Sequence, residues 1–321
     1  MQFTFSICSE RSGSNLIAKI MDAHPEVCGP FPSHLMWNMA PNLFRYGDLR
    51  IDENWRMLLE DAVFLLNNGI SQWVSSFTVE QLTAEVGERR LDAIYRYVYE
   101  TEAAVQRKKR LFIKENHSYE YIGFILSHFP DARFTWMVRD PRDMVYTWKS
   151  TSQMSGGVRH AATYWKEDQR HNMAIYGYLR ELGKIHFLRF EDLLDSTELE
   201  LRKICDFLGI DYAPEMLNFH EKDLTKRNAN TMGPWQDLQK PLITGNKNLY
   251  RQGLTETEIR YIEALCWEEM RFCGYAPDYA EHGDAAELET QVLADEPELS
   301  HTSTEKARFH GYSSAVERIR K

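Results

Sequence analysis

An α/β chain with a central, mostly parallel sheet flanked by helices is predicted, on two observations. Short runs rich in β-formers occur at 2–8, 111–114, 133–138 and 185–189, and each is followed by a segment with helical spacing of apolar residues. Strands that alternate with helices along the chain are joined by crossovers, so they lie side by side in parallel with helices on the faces of the sheet.

The first run, QFTFSIC, passes through the polar turn SERSGS into a segment with Leu16, Ile17, Ile20 and Met21 on one face, which reads as strand, loop, helix. Helices are expected near 53–68, where Trp55, Leu58, Leu59, Ala62, Val63 and Leu66 recur every three or four residues, and at 79–108. They would cover the sheet or build a substrate pocket. Residues 218–250 lack periodicity and contain Gly233, Pro234, Pro241 and Gly245, the mark of a long irregular segment lying over something. A helix at 255–273 follows, with Thr255 as N-cap and Glu258 completing a capping box. From about Pro277 the composition turns to Glu, Asp, Ala, Ser and Thr. One domain at 1–276 and a tail at 277–321 are therefore expected, the tail acidic and partly disordered over 278–304, then basic and helical toward Arg318, Arg320 and Lys321.

With 321 residues and 43% hydrophobic content the chain can bury a large core. A formal charge of -10 speaks against a general nucleic-acid binder, so any anion site must be local. The five cysteines (Cys8, Cys28, Cys205, Cys266, Cys273) have no metal-binding spacing and are odd in number, which fits free thiols in a reducing compartment. No apolar run approaches the roughly 18 residues a membrane helix needs, and no secretory leader precedes Phe3, so the expectation is a cytoplasmic protein without membrane, metal or nucleic-acid partners. Oligomeric state stays open, a homo-oligomer included.

Two stretches suit an anion. In Ser9-Glu10-Arg11-Ser12-Gly13-Ser14-Asn15, between a strand and a helix start, free backbone N–H groups and the helix dipole attract negative charge, Gly13 permits close approach, and Arg11 adds a permanent cation. The plainer reading is simple helix capping. The nucleotide triphosphatase pattern G-x-x-x-x-G-K-[ST] is absent. In Val138-Arg139-Asp140-Pro141-Arg142-Asp143, Pro141 fits a first helical turn and leaves Arg139 at the carboxyl end of its strand; the plainer reading pairs these charges with one another on the surface.

Together, ERSGSNL and VRDPRDMVYT resemble the 5′-phosphosulfate loop and the 3′-phosphate motif of the sulfotransferase family that uses 3′-phosphoadenosine-5′-phosphosulfate (PAPS). MDAHPEV at 21–27, HFLRFEDLLDSTELELRKICDFLGI at 186–210 and the region of Cys266, Gly274 and Tyr275 extend the resemblance over about residues 2–275. It implies a P-loop NTPase-like sulfotransferase fold of the bacterial small-molecule branch, PAPS as donor and 3′-phosphoadenosine-5′-phosphate (PAP) as product. Arg11, Ser12, Gly13, Ser14 and Asn15 would hold the 5′-phosphosulfate, Arg11 standing where the cytosolic branch has a catalytic lysine. Arg139 and Thr147 would grip the 3′-phosphate, Thr147 in place of the usual serine. Phe190 would line the base pocket or pack in the core, and Arg251 in YRQG resembles a further phosphate contact.

Transfer to a hydroxyl or amine needs a base beside the sulfur. His34, in Phe31-Pro32-Ser33-His34, is the first choice, 23 residues after Arg11, where relatives tend to place a carboxylate; the rival is His117 in Lys114-Glu115-Asn116-His117, with Glu115 beside it, resembling the lysine-x-histidine site of the cytosolic branch with one residue inserted. A nucleotide or small-molecule kinase and a catalytically silent phosphate-binding scaffold are the alternatives. The acceptor is unspecified beyond a small molecule; Trp37, Trp55, Trp73, Phe44 and Tyr46 either line its pocket or belong to the core.

Overall fold

Alternation along the strands divides the interior in two. In β1 (Gln2–Cys8), Phe3, Phe5 and Ile7 face one apolar cluster while Cys8 joins the other. The further strands are β2 (Val27–Cys28), β3 (Arg110–Lys114), β4 (Arg133–Val138) and β5 (Ile185–Arg189). Leu111 and Ile113 of β3 sit with Phe5, whereas Phe112 sits with Cys8, as the two-residue period requires. The computed structural model describes all of the chain except residues 152, 153, 155, 231, 281, 282, 293–311, 320 and 321.

The strands form one sheet in the order β2-β3-β1-β4-β5, with every pairing parallel. Four of the five lie where the β-former runs predict them; β2 has two residues, too few to carry a pattern. Helix α1 (Ser14–Ala23) follows β1, and α2 (Leu35–Met39), α3 (Asp52–Asn68), α4 (Val79–Glu85) and α5 (Leu91–Val105) lie between β2 and β3. The single helix expected at 79–108 is thus two, because the chain becomes extended at Val86, passes Gly87, and resumes a helix only after the extended Arg90. Helix α6 (Ile122–His128) precedes β4; α7 (Pro141–Lys149) and the long α8 (Gly157–Glu181) precede β5.

After β5 come α9 (Phe190–Asp195), α10 (Thr197–Leu208), α11 (Asp223–Ala229), α12 (Tyr250–Gly253), α13 (Glu256–Cys273) and α14 (Ala285–Val292). Thr255 and Glu258 make the expected reciprocal capping box on α13. Residues 218–250 hold only short helical turns and α11, as their Gly and Pro content predicts. In the expected tail, residues 312–319 form a last described helix, α15, whose Ala315 and Ile319 are buried. Most of the acidic stretch, 293–304, lies outside the described residues.

Strand β1 has β3 on one side and β4 on the other. The chain therefore builds one half of the sheet after β1 and crosses to the other half later, so the loops leaving β1 and β4 diverge at their carboxyl ends. Open α/β sheets bind ligands in the crevice such a reversal creates.

Candidate active site

The turn from β1 into α1 is left-handed at two positions, Arg11 at φ 59° and Gly13 at φ 87°. At Gly13 a side chain is disfavoured for a second reason: a Cβ would lie 2.4 Å from the Phe190 ring, which would have to move. The Ser12 hydroxyl donates to the Ser9 carbonyl at 2.6 Å and closes the turn. That turn delivers the first N–H groups of α1, with Ser14 and Asn15, to the crevice, and the Asn15 Oδ1 is buried without a partner among the described residues.

Strand β4 is in register with β1, Cys8 opposite Met137, so the next residues, Arg139 and the Ser9–Gly13 turn, emerge side by side. Asp140 caps α7 by accepting from the Arg142 N–H, and Pro141 takes the first helical turn, as the sequence predicts. The Arg139 carbonyl accepts from the Trp165 indole at 2.9 Å, which fixes the backbone. Its guanidinium lies over Phe190, 4.7 Å from the ring centre, and donates to the Arg11 carbonyl at 3.1 Å and the Asn246 carbonyl at 3.2 Å.

Arg142 and Arg139 meet opposite fates. Arg142 is neutralised, with Asp140 at 2.7 Å and Glu263 at 2.6 Å. Self-pairing thus describes Arg142 and not Arg139. Among the described residues, neither Arg139 nor Arg11 has a carboxylate oxygen within 4.0 Å, and the Nε of each is buried without a hydrogen bond. Burial, and then the like charge of Arg139, push the Arg11 guanidinium down to about 10; burial lowers Arg139 as well. Glu10 and Asp237 on Arg11, and Asp143, Glu191 and Asp140 on Arg139, offset part of this without touching either guanidinium. Two adjoining desolvated cations without a contacting carboxylate are costly, and an anion between them lowers the cost.

The cleft that Arg11, Ser14, Arg139, Phe190, Pro234 and Asn246 help to line encloses about 730 Å³, its open mouth included, within the size range of small-ligand sites. The irregular 233–246 stretch roofs it. Arg11 donates to the Pro234 carbonyl, and buried Asp143 accepts the backbone N–H groups of Asn248 and Tyr250 and pins the end of the roof to α7. Thr147 is not part of this wall, and its hydroxyl donates to the Asp143 carbonyl within α7 at 2.8 Å. Arg251 is exposed and paired with Asp278 at 2.6 Å.

A second cluster gathers at the end of β3. His34 at φ 56° and His117 at φ 51° both hold left-handed backbone positions. They meet on one indole: Trp37 stacks on His117 with centroids 4.8 Å apart and stands edge-on to His34 at 5.5 Å. Both nitrogens of His117 are engaged, Nδ1 with the Tyr119 hydroxyl and Nε2 with the Tyr164 hydroxyl, each at 2.9 Å. The His34 ring has no hydrogen bond among the described residues. Burial and the nearby Lys114 charge lower His34 to about 3 and His117 to about 4, so both are neutral near pH 7. Glu115 is buried, accepts from Ser33 at 2.7 Å and Tyr99 at 2.9 Å, leaves its Oε2 without a hydrogen-bond partner among the described residues, and is pushed up to about 7 by burial.

The two clusters are joined through polar residues of the β1 turn, the KENH stretch and α8. Asn116 accepts from Lys114 and donates to Glu10 at 2.8 Å, while Gln169 donates to Ser9 at 2.7 Å. Buried Asp168, raised to about 7 by burial, also contacts Ser9 and Tyr119. Lys114 stands in the KENH stretch and could have been flagged there; Asp168, Gln169 and Tyr164 sit in the middle of α8, where polar residues normally face water, and only the fold brings them inward. Of the aromatic candidates, Trp37 lies in the histidine cluster, Trp55 and Tyr46 are core, Trp73 is partly buried and bonded to the Phe31 carbonyl, and Phe44 is exposed. Among the described residues there is no group of three or more metal-binding side chains, and no helix is long and apolar enough to cross a membrane.

The family model described as Sulfotransferase family matches residues 4–214, which include the β1 turn, both histidines and Arg139. A protein-tyrosine sulfotransferase of Drosophila melanogaster is 25% identical over 225 residues, covering 68% of this chain and 40% of its own. Sulfotransferase 2A6 of Mus musculus is 25% identical over 139 residues, 39% of this chain and 48% of its own. The chain thus spans half or less of these relatives. Among solved structures, the sulfotransferase domain from the Synechococcus PCC 7002 olefin synthase has the same fold, with TM-score 0.55 and 22% identity over 85% of this chain and 93% of its own.

Proposed function

The chain belongs to the sulfotransferase family, and from that premise we propose that it transfers the sulfuryl group of PAPS to a hydroxyl or amine of a small-molecule acceptor, without a metal, and releases PAP. The observation that carries this reading is the pair of guanidiniums, Arg11 and Arg139, desolvated side by side at the N-terminus of α1 with no carboxylate oxygen within 4.0 Å of either among the described residues. A donor with phosphate at both its 5′ and 3′ positions supplies the missing negative charge, and a planar base suits the Phe190 side of the cleft.

In this reading Arg11, Gly13, Ser14, Asn15 and the first N–H groups of α1 hold the phosphosulfate, with the Ser12 hydroxyl bracing the turn. Arg11 keeps its proton and stabilises the charge that builds on the leaving phosphate. Arg139 holds the 3′-phosphate; Thr147 and Arg251 reach it only after turning from their present partners. The acceptor oxygen or nitrogen forms its bond to sulfur as the bond from sulfur to the 5′-phosphate breaks, and its proton passes to a base.

His34 fits that role better than His117, whose two nitrogens are already taken by phenols. His34 is neutral and has a free lone pair, and a bound anion raises the basicity of a nearby imidazole. His117 then orients its neighbours, and Glu115, held by Ser33 next to His34, fixes the loop that carries the base. Five buried free thiols support a reducing compartment such as the cytoplasm.

Incubation with PAPS and a panel of small phenols, alcohols and amines tests the proposal, with PAP release and sulfated product as readouts. Acceptor-dependent PAP release is expected. His34→Ala lowers turnover about 10²-fold or more with PAP affinity unchanged, as loss of a base does. Full turnover in His34→Ala with loss in His117→Ala would move the base to His117.

A further inference from the structure

Helix α15 lies outside the family match and ends beside the candidate base. Tyr312, Ala315 and Ile319 are spaced three and four apart, so they share one helix face, and Ala315 and Ile319 are buried at 1% and 2% exposure. Near the carboxyl end of this helix the Arg318 guanidinium pairs with Asp61 at 2.9 Å and covers the Phe64 ring at 4.6 Å, both residues of α3. At the other end the Tyr312 ring stands at 62° to the His34 ring, 5.2 Å between centroids, and its hydroxyl accepts from Asn38 of α2 at 3.3 Å. His34 is left 5% exposed.

We propose that α15 is the outer wall of the acceptor site and that Tyr312 is a specificity-determining residue, which limits the acceptors that reach His34 and keeps bulk water away from it. The proposal rests on the reading of His34 as facing the acceptor. A phenol ring in edge contact with the imidazole fills the space a second ring of an acceptor would need. The same ring, fixed at the far end of the helix by the Arg318–Asp61 pair and the Phe64 contact, shields a site where water would otherwise compete for the sulfuryl group.

The shielding is measured without knowing the acceptor. Diethyl pyrocarbonate modifies neutral, accessible imidazole, and mass spectrometry of peptides reads the rate at His34 alone. The full-length protein, Tyr312→Ala, Arg318→Ala and Tyr312→Phe are compared, with circular dichroism establishing that each is folded. His34 is expected to react about 10-fold or more faster in Tyr312→Ala and Arg318→Ala, as a local shield is removed, and at the original rate in Tyr312→Phe, which keeps the ring. Equal rates in all four proteins overturn the wall. In parallel, PAP release from PAPS without acceptor should rise in the two opened variants at unchanged PAP affinity; no rise would overturn the water-excluding role. Failure of the wild-type protein to bind PAP would instead strike the donor assignment, and the labelling comparison would still decide the wall.

Discussion

Arg139 is an unusual residue to bury: its hydrogen bonds go to neutral carbonyl oxygens and an amide, its Nε has no partner among the described residues, and Arg11 lies close enough to repel it, while Asp143, Glu191 and Asp140 attract it only from beyond contact. Arg139→Met should therefore weaken PAP binding by about 10²-fold or more, the worth of two charge-assisted hydrogen bonds, while leaving the melting temperature of the ligand-free protein equal or higher. Calorimetric titration and a thermal melt read the two effects separately. Glu115 gives a pH test. Its folded pKa of about 7 lies above the usual carboxyl value of 4.5, so its protonated form contributes stability that is fully present below about pH 4.5 and is lost as pH rises through 7. Relative to Glu115→Gln, the wild-type melting temperature should fall between pH 5 and 8; a pH-independent difference would contradict the assignment. At this scale Arg11 and Arg139 were legible because each stands in a contiguous motif. The meeting of His34 and His117 on Trp37 was not, since long separations in sequence are closed only by the sheet.

Elements decide whether those side chains converge. The β1 to α1 turn favours glycine at position 13, and Gly13→Ala should cost about 1–3 kcal/mol, from the left-handed φ and from displacement of Phe190, with a parallel loss of PAP affinity. Chemical denaturation and PAP titration check it. Asp143 acts at a distance from any ligand: it anchors the N–H groups of Asn248 and Tyr250, so Asp143→Ala should loosen the roof over the cleft and raise the PAP dissociation constant with the strands intact. Hydrogen exchange over 240–250 would report the loosening directly. The strands and the α13 capping box were readable from local pattern, and so was the irregularity of 218–250. What that segment covers was not readable, because its role depends on Arg11 reaching Pro234 and on Phe31 packing against Trp235, contacts between parts of the chain with no shared pattern.

Over the whole molecule, the charge of -10 and the cationic cleft are compatible because Arg11 and Arg139 are concentrated at the carboxyl ends of the interior strands β1 and β4. The strand order reverses between these same two strands, so topology and electrostatics select the same place for the donor. The sequence predicted the parallel sheet and the paired anion motifs, whereas α15 reaching back to α2 and α3 left no trace in composition beyond its basic end. The central claim is that the Arg11–Arg139 cleft is built for a nucleotide with phosphate at both its 5′ and 3′ positions. A thermal-shift titration with PAP, with magnesium ATP as comparison, tests it most directly, because a ligand of the native state raises the melting temperature by mass action. A saturable rise with PAP that is absent in Arg139→Met, and little response to magnesium ATP, is predicted. No shift with PAP, or an equal shift in Arg139→Met, would contradict the account.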